Sequence, residues 1–131
     1  MYNEFPEYND DIWHKYDNPI ENKKSLNKWN TFPPTTCQVL SSLNSNEFLN
    51  FIQKRTGVEN IFSDSGLNGA GWHIHNRGGM LNAHLDYNLH PKLGLQRKYN
   101  LIIYLEKDWK KEWGGGLAFG VIMIKPQDLE N

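Results

Sequence analysis

The sequence of 131 residues is long enough for one domain with a small core. Its apolar content of 38% and its five tryptophans are typical of a globular protein and exclude a disordered chain. The formal net charge of −1 excludes the basic surface of a nucleic-acid-binding protein, and no apolar run approaches the length of a membrane span. A single cysteine, Cys37, cannot form an internal disulfide, so we expect a reducing, cytoplasmic location and a small, half-buried thiol.

Residues 1–36 are polar and interrupted by prolines, which predicts an irregular N-terminal arm. Three aromatic residues are expected to pin this arm onto the domain: Trp13, Trp29 and Phe32. The remaining residues, 37–131, are predicted to form one β-rich domain.

A helix is predicted at about residues 46–56, with Asn44 as its N-cap, Glu47 completing a capping box and Gly57 as its end. After Gly57 the pattern changes to short strands between glycine-rich or polar turns. The predicted strands cover residues 70–76, 80–86, 99–105 and 116–125. The run 99–105 is the clearest because it is apolar and partly β-branched. One N-terminal helix packed on several strands predicts a mainly-β fold, either a sandwich or a barrel.

The spacing His84-x-Asp86 is the main candidate for chemistry. Residues i and i+2 of a strand share one face, so this imidazole and this carboxylate can converge on one metal ion. Two histidines and one carboxylate on one face of Fe(II) leave three positions open for a co-substrate and O₂. The tripeptide also occurs by chance, and the alternative interpretation is a surface His and Asp beside a turn.

The residues around this pair occur in a specific order. Gly78-Gly79 precedes it, and the following segments are Asp86-Tyr-Asn-x-His-Pro91, Arg97, Asn100-Leu-Ile-Ile-Tyr104-Leu, Asp108-Trp109 and Gly114-Gly-Gly-Leu117. In this order the chain resembles the Fe(II)/2-oxoglutarate-dependent oxygenases of the prolyl 4-hydroxylase-like type, over about residues 18–118.

The resemblance implies a double-stranded β-helix, or jelly roll, in which His84 and Asp86 bind Fe(II). It implies that Tyr104 reaches the distal carboxylate of 2-oxoglutarate, although a core tyrosine bonded to the backbone is an equal alternative. It also implies that 2-oxoglutarate decarboxylation is coupled to hydroxylation of a small-molecule or peptide substrate that the sequence does not identify, with ascorbate as a further cofactor. The oligomeric state stays open.

The sequence departs from this family after Leu117. The family continues with a second histidine that is followed by a basic residue, and this pair is absent here, so we expect an incomplete jelly roll that is truncated and inactive. A frameshift near residue 118 is one hypothesis for the departure, and the gene sequence tests it. Two alternatives to the enzyme are a non-catalytic fragment or interaction module that keeps half of the fold, and an unrelated cupin-like jelly roll.

Three other sites have structural interpretations. His73 and His75 lie on one face of their predicted strand and are expected either to line the pocket wall or to be structural residues with satisfied hydrogen bonds. Contact of one of them with the co-substrate is a further alternative. His90 is expected to anchor its loop, and Arg97 to pair with acidic residues of the later turn. Trp109 and Trp113 are expected to cover the edge of the sandwich.

Overall fold

A four-stranded antiparallel sheet and two helices make up the fold, in a computed structural model that describes residues 1–117. The strands are β1 (His14–Asp17), β2 (Glu21–Leu26), β3 (Trp72–Ile74) and β4 (Met80–Leu81). The helices are α1 (Pro34–Leu43) and α2 (Asn46–Thr56), and short 3-10 turns lie at Tyr2–Glu4, Trp29–Thr31 and Lys111–Trp113. None of the helices in this range has the length and apolarity that crossing a membrane requires.

Strand β2 is the centre of the sheet. It pairs with β1 along one edge and with both β3 and β4 along the other, always antiparallel. The prediction that residues 1–36 are irregular is therefore wrong, since the central strand lies within them. The sequence of β2, Glu-Asn-Lys-Lys-Ser-Leu, has no alternation of apolar and polar residues. Hydrogen bonds to neighbouring strands on both edges stabilise β2, and the residue pattern of β2 alone does not reveal those partners.

The turn between β1 and β2 depends on one asparagine. The side-chain oxygen of Asn18 accepts hydrogen bonds from the backbone N–H groups of Ile20 at 2.9 Å and Glu21 at 3.1 Å. The Asn18 N–H donates to the Glu21 carbonyl at 3.0 Å. This Asx-type turn directs the chain back along β1 and fixes the register of the hairpin.

The core lies against one face of the sheet. Leu26 of β2 and Trp72 of β3 are direct cross-strand partners, and both are buried with Phe32 and Leu67. The aromatic rings of Phe32 and Trp72 meet edge to face with 5.2 Å between centroids. Residues packed against this cluster include Trp13, Trp29 and Cys37, the last half-buried as expected. The prediction that Trp13, Trp29 and Phe32 attach the N-terminal segment to the domain is confirmed.

The predicted helix forms as α2, but its cap differs. Ser45 is the N-cap, and its hydroxyl oxygen accepts a hydrogen bond from the Phe48 N–H at 3.2 Å. Asn44 instead ends α1, where its N–H donates to the Leu40 carbonyl, so the predicted capping box is wrong. Gly57 ends α2 with a φ of 71°, the left-handed conformation that glycine adopts without strain. Helix α1 was not predicted, and it crosses the predicted boundary at residue 36.

The later strands are shorter than predicted. Of residues 80–86, only Met80–Leu81 form a strand, and residues 99–105 form none. The latter prediction is wrong because β propensity is realised through cross-strand pairing, and no residue within 1–117 pairs with this segment. Gly116 and Leu117 are not in a strand, and the rest of the predicted strand 116–125, like the frameshift position, lies outside the described residues.

Candidate metal centre

His84 lies just beyond the end of β4, where the chain is tied to the β1–β2 turn. The Asn82 N–H donates to the Ile20 carbonyl at 2.8 Å, and the Asn82 amide donates to the Pro19 carbonyl at 3.0 Å. The carbonyl of Asn82 lies 2.7 Å from Nδ1 of His84. The imidazole is thus oriented by a residue that the hairpin holds in place.

The side chains of His84 and Asp86 meet. Nε2 of His84 lies 3.3 Å from Oδ1 of Asp86. The expected cause was a shared strand face, but residues 82–86 are not in a strand, so the local path of the chain brings the two groups together. Both side chains keep contact with solvent, with exposed fractions of 35% and 47%.

The hydrogen bond at Nδ1 determines what Nε2 can do. A carbonyl oxygen only accepts hydrogen bonds, so Nδ1 of His84 carries the proton. In a neutral ring Nε2 then presents a lone pair toward the Asp86 carboxylate. Two such groups repel unless a second proton or a metal cation lies between them. A histidine whose Nδ1–H is held by a carbonyl is the usual arrangement of a metal ligand.

The distance also fits a metal. Two ligands at about 2.1 Å and at right angles around an octahedral ion stand about 3 Å apart. The 3.3 Å between Nε2 of His84 and Oδ1 of Asp86 is close to that separation. Within residues 1–117 no third His, Cys, Asp or Glu joins them in a group that could hold a metal. The described residues therefore fit two adjacent positions of an iron centre.

The second carboxylate oxygen of Asp86 faces an arginine. Nη2 of Arg97 lies 3.4 Å from Oδ2 of Asp86, so Arg97 pairs with this residue and not with the later acidic turn. The guanidinium also lies over the ring of Tyr87, 4.9 Å from its centroid. The Tyr87 hydroxyl donates to the Asn68 carbonyl at 2.7 Å. Arg97 leaves Oδ1 of Asp86 as the oxygen available to a metal.

A closed loop returns Arg97 to Asp86. The Arg97 N–H donates to the Asn88 carbonyl at 2.7 Å, and Leu89 and Gln96 form an isolated antiparallel bridge. Inside the loop, Nδ1 of His90 accepts hydrogen bonds from the N–H groups of Lys92 and Leu93. Nε2 of His90 is buried and lies 3.4 Å from Oδ1 of Asp64, without hydrogen-bond geometry. His90 therefore organises its loop, as the sequence predicted.

Tyr104 lies in a different hollow, of about 410 Å³, which it lines with Trp109 and Leu117. Residues that line the hollow beside Asp86 include Tyr99 and Asn100, from the start of the same segment, but not Tyr104. Tyr104 as a 2-oxoglutarate ligand stays a prediction, as do His84 and Asp86 as iron ligands. Trp109 and Trp113 are both exposed among the described residues, and their covering of the sandwich edge stays a prediction.

His73 and His75 belong to the polar face of the sheet, opposite the core. Ser25 pairs with His73, and Lys23 and Glu21 follow at two-residue steps along β2 on this face. The ammonium of Lys23 lies 2.8 Å from the Glu21 carboxylate, which holds the pKa of Glu21 below its ordinary value. Loss of hydration, followed by the Lys23 charge, lowers the pKa of both histidines although their rings keep exposed edges.

This polar face was missed by sequence reasoning. Glu21 pairs with Leu81 of β4, so the face extends toward the candidate centre that lies beyond β4. The signal available in the sequence was Asn18-Pro19, a turn-forming pair whose position makes Glu21–Leu26 a returning strand. The polar composition of that strand concealed it.

The geometry thus defines a protein with a paired imidazole and carboxylate beside a small antiparallel sheet. Residues 70–128 match the model of a family described as the 2OG-Fe(II) oxygenase superfamily. The matched segment contains His84, Asp86, Arg97 and Tyr104. No significant match was found to a curated protein or to a solved structure.

Proposed function

We propose that this chain carries a non-haem iron oxygenase site in which His84 and Asp86 bind Fe(II). The observation that supports it most strongly is the 3.3 Å approach of Nε2 of His84 to Oδ1 of Asp86, within the segment that matches the superfamily. The family uses Fe(II) and 2-oxoglutarate, and the bound metal and co-substrate supply O₂ activation. We extend the proposal to a prolyl 4-hydroxylase-like subtype with a jelly-roll fold, in a cytoplasmic protein that uses ascorbate as a further cofactor.

The residues of the chain have separate roles in this proposal. Asn82 fixes the ring of His84 so that Nε2 offers its lone pair. Asp86 supplies one negative charge through Oδ1, and Arg97 holds Oδ2 away from the metal. A metal bound by these two residues keeps several positions open for a chelating co-substrate, whose oxidation is coupled to hydroxylation of an unidentified substrate.

Tyr104 is proposed to donate its hydroxyl to the distal carboxylate of 2-oxoglutarate. Its side chain is 64% exposed, and its hydroxyl has no hydrogen-bond partner among residues 1–117. A phenol in that state is a free donor for a carboxylate. The exposure argues against the alternative interpretation of a core tyrosine bonded to the backbone.

A second candidate function is a non-catalytic interaction module, in which the chain is inactive. It is favoured by the consecutive exposed apolar residues of the segment 101–103, which no residue within 1–117 covers. Contiguous apolar surface of this kind marks an interaction site in many proteins. Metal chemistry separates the two candidates.

Anaerobic titration of the chain with Fe(II) and 2-oxoglutarate tests the proposal. A working site gives a metal-to-ligand charge-transfer band in the visible, followed by succinate formation when O₂ is admitted. His84→Ala removes one of the two described ligands, so we expect it to abolish the band. His14→Gln, on the exposed strand β1, is the matched control and keeps the band.

Three outcomes are informative. A band in the wild type and in His14→Gln, absent in His84→Ala, supports the iron site. A band with no succinate supports metal binding by an inactive chain. No band in the wild type at millimolar Fe(II) and 2-oxoglutarate would contradict the oxygenase proposal and favour the interaction module.

A further inference from the structure

A second binding feature lies beside the candidate metal centre. It is a hollow of about 230 Å³ whose wall includes Asp86, Asn88, Arg97, Lys98, Tyr99 and Asn100. We call it the Asp86 hollow. The closed loop 88–97 forms one side of it, and the residues that follow the loop form the other. Asp86 and Arg97 also belong to the proposed iron site, but that proposal places no ligand in this space.

The polar groups of the Asp86 hollow are mostly donors without acceptors. The side chains of Asn88, Lys98 and Asn100 make no hydrogen bond with any residue in the described part of the chain. The guanidinium of Arg97 touches Oδ2 of Asp86 at 3.4 Å through one terminal nitrogen, which leaves most of its donor fork free. Asn88, Lys98 and Asn100 are exposed, so they can exchange their water for a ligand with several acceptor oxygens.

The charges around the hollow point to the same ligand. Arg97 and Lys98 contribute two positive charges, and Asp86 contributes one negative charge, so the described wall is net positive. An apolar group would displace water from these donors without replacing its hydrogen bonds. An oxyanion satisfies both the charge and the donors, because guanidinium and amide groups bind carboxylates and phosphates through charge-assisted hydrogen bonds.

We propose that the Asp86 hollow binds an oxyanion group, either a carboxylate or a phosphate, of the prime substrate, that is, the molecule that is hydroxylated. That the bound molecule is the substrate rests on the proposed function, which gives the co-substrate carboxylate to Tyr104 in the other hollow. The proximity to Asp86 would then hold the anionic end of the substrate next to the metal and leave the remainder of the molecule to present its C–H bond. The oxyanion site itself requires no metal.

Nuclear magnetic resonance of the metal-free whole chain tests the oxyanion site at fixed ionic strength. Acetate and inorganic phosphate are titrated separately, with acetamide as a neutral control. We expect the Arg97 Nε–H and the Asn88 and Asn100 amide signals to shift with the anions and to stay in place with acetamide. The anion that binds more tightly identifies the substrate group.

Variants locate the response. Arg97→Gln and Lys98→Gln each remove one charge-assisted contact, so each is expected to weaken anion binding about tenfold. Arg77→Gln removes an exposed arginine in the turn before β4 and should leave the affinity unchanged. Lys98→Gln changes an exposed side chain and keeps the test valid if Arg97→Gln fails to fold.

Two controls separate this proposal from the proposed function. His84→Ala should lose metal binding yet keep the acetate or phosphate response, since the hollow does not include that residue. With Zn(II) as a diamagnetic substitute for Fe(II) and one equivalent of 2-oxoglutarate, the anion response should persist. Its loss there would show that the co-substrate fills the hollow and would overturn the assignment to the prime substrate. Unchanged affinity in both Arg97→Gln and Lys98→Gln, or equal shifts with acetamide, would overturn the oxyanion site.

Discussion

Short-range geometry at the residue scale explains the candidate centre. The pair His84 and Asp86 could be predicted from its spacing, although a bend beyond β4 places the groups together. The contact of Arg97 with Asp86 could not be predicted, because it depends on closure of the loop between them. Ten residues lie between the two in sequence, and a pattern of single residues carries no information about that closure.

The polar face of the sheet gives a prediction on histidine titration. Loss of hydration and the Lys23 ammonium both favour the neutral forms of His73 and His75, which lowers their pKa values. Lys23→Gln removes the charge, so both pKa values should rise toward the ordinary value while the hydration effect remains. Titration of the imidazole proton signals by nuclear magnetic resonance measures this.

The same lowered pKa values predict how the stability of the fold changes with pH. A histidine with a folded-state pKa below its unfolded value destabilises the fold as pH falls through the unfolded value, about 6.5. Lys23→Gln should therefore reduce the loss of stability below that pH. Lys15→Gln, on the opposite face of β1, is the control and should leave the histidine pKa values unchanged. Equal pKa values in wild type and Lys23→Gln would contradict the assignment of the charge effect.

Local signals at the element scale were sufficient for one helix and insufficient for the sheet. Helix α2 could be predicted because its apolar spacing and its terminal Gly57 lie within the segment itself. Strand β2 could not, since its stability comes from partners up to 60 residues away, such as Leu81 opposite Glu21. The segment 99–105 shows the converse, because its strong β propensity has no partner among the described residues.

The glycine just before β3 lets the chain pass close to the backbone at the end of β2. Gly71 has a φ of 95°, and a Cβ there would collide with the carbonyl oxygen of Leu26 and lie 2.9 Å from Cα of Asn27. Gly71→Ala should therefore cost about 3 kcal/mol or more in the free energy of unfolding. Gly78→Ala has a similar positive φ but open space, so its cost should be about 1–2 kcal/mol. Urea denaturation compares them, and equal costs would rule out the close approach as the cause.

The start of helix α1 depends on an acidic side chain from the first turn of the chain. The Glu4 carboxylate accepts hydrogen bonds from the N–H groups of Thr35 at 3.2 Å and Thr36 at 3.0 Å. Hydrogen bonding from Thr35, and then from Thr36, lowers the pKa of Glu4 against a smaller opposing effect of lost hydration. Its contribution to stability is present above the unfolded pKa and is lost as pH falls through the folded one.

Glu4→Gln should lower the thermal unfolding midpoint at pH 7 and match the wild type once the pH is below the folded-state pKa of Glu4. Glu59→Gln is the control, since Glu59 is exposed and makes no side-chain hydrogen bond within the described residues. A difference between Glu4→Gln and wild type that persists unchanged at pH 2 would contradict this carboxylate-to-helix account.

The distribution of burial at the scale of the whole molecule is uneven. Within residues 1–117, the four buried apolar residues all lie between Leu26 and Trp72, whereas residues 81–89 are all exposed. The candidate centre therefore lies at the border of a small core, in an exposed part of the chain. The sequence predicted a β-rich domain over this region, and the described residues support the sheet around β2.

Amide hydrogen exchange should show the difference between the paired sheet and the exposed later segment directly. Amides of β2 donate within ladders on both edges and should exchange at least about a hundredfold more slowly than amides of residues 101–104. The latter have no backbone hydrogen-bond acceptor among residues 1–117. Equal protection of the two segments would mean that the 101–104 run is paired in solution and that the present assignment of exposed backbone is wrong.

The most direct test of the central claim is to locate the metal. Mn(II), added to the chain in substoichiometric amounts, broadens the nuclear magnetic resonance signals of nearby nuclei. We predict the strongest broadening at His84, Leu85 and Asp86, and its loss in Asp86→Asn. Broadening centred on His73 and His75, or a uniform effect over the surface, would contradict the metal centre.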